Sequence, residues 1–90
     1  MNANRYGNTL ALKEHMVSGK PITGLEALVL FGVASLTKNI SLMRREGWFI
    51  ESKKVPYKKV LVRINKYALV RPPKNLPIEE IVMTEYWVKK

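Results

Sequence analysis

The chain has 90 residues, with 16 Lys and Arg against 7 acidic residues for a net charge of +9, and it contains no Cys. That length fits one domain with one modest core, burying about 60–65% of the unfolded chain's surface, so a large substrate cavity is not expected. Without Cys there are no disulfides, thiolate zinc sites or cysteine nucleophiles, and no run approaches the roughly 18 apolar residues of a membrane span.

The charge is unevenly placed. Residues 37–74 hold eleven cations against only Glu46 and Glu51, while the remaining residues balance five cations with five acids. A basic stretch of this kind points to a polyanionic partner, nucleic acid first. The start, Met1-Asn2-Ala3-Asn4-Arg5, has no apolar signal region, so the expected location is the cytoplasm.

In chain order, residues 1–7 read as a loose polar segment, and Asn8 or Thr9 as the cap of a first helix reaching about Ser18. Leu12 and Met16, four apart, share its inner face, flanked by Leu10 and Val17. Gly19 ends it. His15, the only histidine, reads as a partly exposed polar residue without a chemical role. Pro21 biases Lys20 toward extended geometry, and Ile22 is expected to form a very short strand that staples the next helix.

That second helix starts at Thr23, an N-cap with Glu26 three residues on in a capping box. Leu25, Leu28 and Phe31 fall on one face, Gly32 is the residue type that closes a helix in the left-handed conformation, and Val33 points inward. From Ala27 to Phe31 the helix is apolar throughout, so burial on most sides is expected. Ser35 then caps a third helix running to about Glu46, closed by Gly47. Two short helices joined by a tight, Gly-containing turn form a helix-turn-helix pattern, whose second helix enters the DNA major groove. At about 100° per residue, Leu36, Ile40 and Met43 face the core. Thr37, Lys38, Ser41, Leu42 and Arg45 face outward as candidate base readers: Arg45 suits guanine, and Leu42 suits a thymine methyl.

Trp48-Phe49-Ile50 begins a strand. Val60, Val62 and Ile64 alternate with Leu61 and Arg63, which predicts a second strand continuing toward Leu69. Between them, Lys53, Lys54, Lys58 and Lys59 flank a Pro56-Tyr57 turn. A basic hairpin after a recognition helix reads as a wing that touches flanking phosphates, and Arg44, Lys53, Lys54, Lys58, Lys59 and Arg63 are the candidate phosphate ligands. Val70-Arg71-Pro72-Pro73-Lys74 is a stiff connector. The domain thus spans 1–70, with 71–90 as connector and tail. Pro77, Glu79, Glu80 and the closing Lys89-Lys90 favour a helix in the tail, whereas Val82, Thr84, Tyr86, Trp87 and Val88 favour a strand; the helix is chosen. Its Ile81, Met83, Tyr86 and Trp87 are candidate contacts for docking or dimerisation.

Leu25-Glu26-Ala27-Leu28, Phe31-Gly32-Val33, Ser35-Leu36, Ile40-Ser41 and Arg44-Arg45-Glu46-Gly47-Trp48 with Ile50 together resemble the small winged helix-turn-helix domains of many bacteriophage and prophage proteins. The resemblance covers about residues 9–69, with Met43 standing where leucine is usual; the Pro56 tip and the tail after Pro72 lie outside the pattern. It implies an α+β fold, a three-helix core with a β-hairpin wing, DNA binding by the third helix, and a phage source, hence the host cytoplasm.

Catalysis is not expected. With no Asp, no Cys and one His, a Ser-His-Asp set and a catalytic zinc site cannot be built, and no phosphate-cradling Gly-x-x-x-x-Gly-Lys loop is present. No cofactor or metal is expected. The leading expectation is a sequence-selective reader of double-stranded DNA acting in transcription regulation, with a homodimer as one assembly. The alternatives are a module that occupies or inhibits a host protein and an architectural factor in recombination or packaging.

Overall fold

A computed structural model describes residues 5–89, with side chains from Asn8 onward. Its elements are α1 (Arg5–Val17), β1 (Ile22–Thr23), α2 (Gly24–Phe31), α3 (Leu36–Arg45), β2 (Ile50–Pro56), α4 (Tyr57–Ile64) and β3 (Val82–Val88). The described residues form a small α+β unit of four helices and one three-stranded antiparallel sheet, ordered β1-β3-β2.

The first helix starts at Arg5 rather than at Asn8 or Thr9. Asn and Thr prefer caps, but their interior cost is below about 0.7 kcal/mol each, so the helix runs through them. The expected loose segment is therefore helical over residues 5–7, and residues 1–4 lie outside the described residues. Leu12 and Met16 are buried as expected, whereas Leu10 is exposed. Gly19, at φ 90°, closes the helix as its N–H donates to the Met16 carbonyl at 2.9 Å.

Thr23 and Glu26 form the capping box at the start of α2. The Thr23 hydroxyl oxygen accepts from the Glu26 N–H at 3.2 Å, and Glu26 Oε1 accepts from the Thr23 N–H at 3.0 Å. Gly32, at φ 67°, ends the helix, a conformation that costs a residue with Cβ roughly 1–2 kcal/mol. The expectation of burial on most sides is corrected: Leu28 and Val29 are exposed. A helix of eight residues packed on α1, α3 and α4 leaves one flank to solvent however apolar its sequence.

After the turn 32–35, α3 leaves α2 at 103°. Leu36, Ile40 and Met43 are 3–4% exposed, which follows from their helical spacing. Ser35 holds the cap position, but its side chain makes no capping bond; the Asn39 amide instead donates to the Ser35 carbonyl at 3.0 Å.

Two expectations fail together beyond Pro56. The segment 60–64 is not a strand, and the tail is not a helix. Tyr57, Val60, Leu61 and Ile64 are spaced three, four and seven apart and are all buried, whereas Val62 is 62% exposed. One stripe at helical period therefore outweighs the shorter alternation of Val60, Val62 and Ile64. Pro56 precedes the helix, and the Tyr57 N–H donates to the Ile81 carbonyl at 3.0 Å, which satisfies one of the unpaired donors at the helix start. The partner of β2 comes instead from the tail. β3 pairs Ile50 with Val88 and Pro56 with Val82, and on its other edge it pairs with Ile22 and Thr23. The β-branched and aromatic residues of 82–88 thus prevail over the helix-end signals. Pro77 and Glu80 form only a turn, in which the Glu80 N–H donates to the Pro77 carbonyl at 3.0 Å. Residues 82–88, expected in an appended tail, supply the central strand.

The sheet has a core on each face. Ile50 and Val55 are an odd number of residues apart and so point to opposite faces. Ile22, Ile50 and Val88, with Tyr86 against them, pack on Leu12, Met16, Ala27, Leu36, Ile40 and Met43. Val55 packs with Val60 and Ile64 of α4, joined by Leu25 and Met83. No single described helix is long and apolar enough to cross a membrane.

This arrangement separates Val62 from Ile64. Replacing Ile64 by Ala should cost about 2–5 kcal/mol through the cavity it leaves. Replacing Val62 by Ala should change stability by no more than about 0.5 kcal/mol. Urea unfolding measures both, and equal losses would restore the strand reading of this segment.

Candidate nucleic-acid interface

Opposite the buried stripe of α3, Thr37, Lys38, Ser41 and Arg45 are exposed. They form one polar, basic face, and neither Lys38 nor Arg45 makes an ion pair with a described residue. Leu42 is 46% exposed, but it stands toward α1. There a groove of about 860 Å³ is lined by Leu10, Leu12, Lys13, Lys38, Leu42 and Glu46, among others, and Lys13 Nζ reaches Glu46 Oε1 at 2.9 Å. At about 100° per residue, Leu42 sits midway between Lys38 and Glu46, about 50° off the Lys38–Arg45 line.

Arg44 joins α3 to the sheet. One of its terminal nitrogens donates to the Ile50 carbonyl at 2.9 Å, which fixes the first residue of β2 against the end of α3. A guanidinium has five N–H donors, so this bond leaves others for an anion.

Lys53 and Lys54 are exposed neighbours on β2 and point to opposite faces of the sheet. Lys53 lies where the sheet is three-stranded, opposite Glu85, and Lys54 begins the arm formed by β2 and β3 alone. Lys54 donates to Thr84 Oγ1 at 3.0 Å. Lys53 Nζ lies 3.7 Å from Glu85 Oε2. Lys58 and Lys59 fall on α4, past the far end of the arm, and Lys58 pairs with Glu79 at 3.1 Å. The sequence had grouped all four around one hairpin tip; the helix inserted after Pro56 separates the two pairs.

Arg63 is half-buried and turned onto the fold. Its Nε and one terminal nitrogen donate to Glu26 Oε2 and Oε1 at 3.1 and 2.6 Å, and its other terminal nitrogen donates to Glu85 Oε1 at 2.8 Å. Glu26 and Glu85 are 5% and 4% exposed. The same Glu26 Oε1 accepts from the Thr23 N–H and hydroxyl. Expected as a phosphate ligand, Arg63 is thus spent inside the fold: three of its nitrogens face carboxylates. Burial pulls its pKa down, but the hydrogen bonds and charges of Glu85 and Glu26 outweigh this and leave it raised. A raised cationic pKa stabilises the fold at every pH below the unfolded value and is lost only above the folded one. For an arginine the loss lies in strong alkali, so Arg63 remains charged throughout the working range. The cluster of one cation and two acids has a net negative charge, and Lys53 at its edge offsets it.

The candidate docking residues of the tail are half-buried and also take part in the fold. The Ile81 carbonyl caps the start of α4, Met83 packs on the second core and Tyr86 on the first, and Trp87 is a half-buried sheet residue opposite Glu51. His15 stands with its ring edge-on to Phe31 at 5.4 Å and its Nε2 at 3.2 Å from the Pro21 carbonyl; a carbonyl only accepts, so this contact needs the Nε2–H form. Glu85 was missed by sequence reasoning, although a lone acid within an apolar and aromatic strand was a visible signal. Comparison with family models, curated proteins and solved structures finds no match to this chain.

Arg63→Ala should leave two buried carboxylates without their cation and cost about 3 kcal/mol or more, lowering Tm by more than about 10 °C. A thermal melt tests this, and a loss below about 1 kcal/mol would show the cluster to be dispensable.

Proposed function

We propose that this chain is a sequence-selective double-stranded DNA-binding protein built as a winged helix-turn-helix, and that it acts as a phage-type transcriptional regulator. The observation that carries the reading is the geometry of α3. Its buried stripe packs on the core, and its opposite stripe of Thr37, Lys38, Ser41 and Arg45 is exposed and basic. A turn after α2 holds it at 103°, within the range of DNA-reading helix pairs. The β2–β3 arm beside the end of α3 takes the place of the wing, with Lys53 and Lys54 as its cations.

In this reading Arg45 contacts a guanine edge, Thr37 and Ser41 offer hydroxyls to neighbouring bases, and Lys38, Arg44, Lys53 and Lys54 hold phosphates. Leu42 is left to the α1 flank, and Arg63 is removed from the interface. A second reading, a module that occupies a host protein, is favoured by the groove between Leu10 and Leu42, whose exposed leucines offer an apolar contact.

About four phosphate contacts should make affinity for a preferred duplex fall roughly 10²-fold between 50 and 200 mM salt. Arg45→Ala should cost about 1–3 kcal/mol and relax preference at one base pair, whereas Lys54→Ala should weaken all sequences alike and reduce the salt slope by about one. Anisotropy with labelled duplexes reads each effect. Absence of binding at low salt would overturn the proposal and turn attention to the Leu10–Leu42 groove.

A further inference from the structure

We propose that α4 and the connector after it form a second phosphate-binding surface, blind to sequence, that takes a second segment of double-stranded DNA, so that one chain bridges two duplexes. The inference rests on the reading of α3 as the first DNA contact.

Between Tyr57 and Ile78 the sequence holds six cations and no acid. Two of the six have partners within the fold, Arg63 in the buried cluster and Lys58 with Glu79. The other four, Lys59, Lys66, Arg71 and Lys74, are exposed and make no ion pair with a described residue. Their charge therefore has no task in holding the described structure.

Their placement separates them from α3. The buried side of α4 packs with Val55 on one face of the sheet, whereas α3 packs with Ile50 and Val88 on the other. On α4, Lys59 and Val62 lie opposite the buried stripe, and Lys66 follows in the turn that closes the helix. The sheet thus stands between the two basic surfaces, and a duplex seated on α3 leaves the outer side of α4 open.

The chemistry of this second surface is that of a backbone contact. Three of the four unpaired cations are lysines, point charges without the planar fork by which arginine reads guanine, and the fourth, Arg71, lies in the connector. Of the two carboxamides there, Asn65 uses its oxygen to accept from the Val70 N–H at 2.9 Å and Asn75 lies in the connector, and Tyr67 is 79% exposed and offers a hydroxyl donor. Such a set neutralises phosphates without distinguishing base pairs.

The test uses the full chain, an immobilised short duplex and a labelled second duplex. Wild-type protein should retain the second duplex on the first. The double variant Lys59→Glu, Lys66→Glu should lower that retention about tenfold or more while affinity for a single short duplex changes less than about threefold, with an unchanged circular dichroism spectrum. Retention unaffected by the variant would mean that bridging runs through two copies joined at another face, and would overturn the proposal. So would a variant that loses single-duplex affinity as steeply as retention, since α4 would then touch the same duplex as α3. No retention by the wild type, with single-duplex binding intact, would overturn it and leave the α3 reading standing. No binding to any duplex would remove both.

Discussion

The structure depends on one half-buried guanidinium set between two buried carboxylates. Arg63 is held by Glu26 at the start of α2 and by Glu85 in the central strand. It thereby ties three elements that are distant in sequence, with separations of 37 and 22 residues. Each partner constrains the others. Glu26 completes the cap of α2, so its carboxylate is already positioned by the Thr23 hydroxyl and N–H. Glu85 sits opposite Thr23 and Lys53 in the sheet register. A carboxylate buried without a cation is costly, and a cation set between two of them is firmly placed. The cluster thus fixes the side of the sheet to which α4 returns, the start of α2, and through α2 the angle at which α3 is presented.

A second, smaller tie completes the frame. The Arg44 bond to the Ile50 carbonyl joins the end of α3 to the base of the arm, so the exposed face of α3 and the lysines of β2 move as one body. Gly32 and Gly47, at φ 67° and 99°, make the sharp turns on either side of α3. The candidate surface is built from elements positioned by contacts on their reverse sides, which leaves Thr37, Lys38, Ser41 and Arg45 free of structural duty.

The local half of this fold was legible in the residues. Thr23 with Glu26, Gly19, Gly32, and the spacing of Leu36, Ile40 and Met43 are signals contained within one or two turns of chain, and all appear in the structure where the sequence places them. The misreadings share a cause. Val60 and Ile64 belong equally to a period of two and to a period of 3.6, and only the exposure of Val62 and the burial of Tyr57 and Leu61 decide between them. The tail carries helix-end charges, but Lys89 instead pairs with Glu51 at 3.5 Å, and its N–H donates to the Phe49 carbonyl at 2.8 Å. The partner of β2 lies beyond an inserted helix and connector, a pairing that no local pattern encodes. For the candidate site, the exposed face of α3 followed from angle alone. The withdrawal of Arg63 did not, because a basic residue in a basic segment shows no sign of two acids arriving from elsewhere.

The outer face of α3, with the arm beside it, is the surface proposed to meet DNA. Backbone amide chemical shifts followed by NMR during titration with one equivalent of a short duplex test it residue by residue. The largest changes should fall on Thr37, Lys38, Ser41 and Arg45, with a second group at Lys53 and Lys54. Changes concentrated instead on Leu10, Lys13 and Leu42, or on Leu28 and Val29, with α3's outer face unmoved, would contradict it.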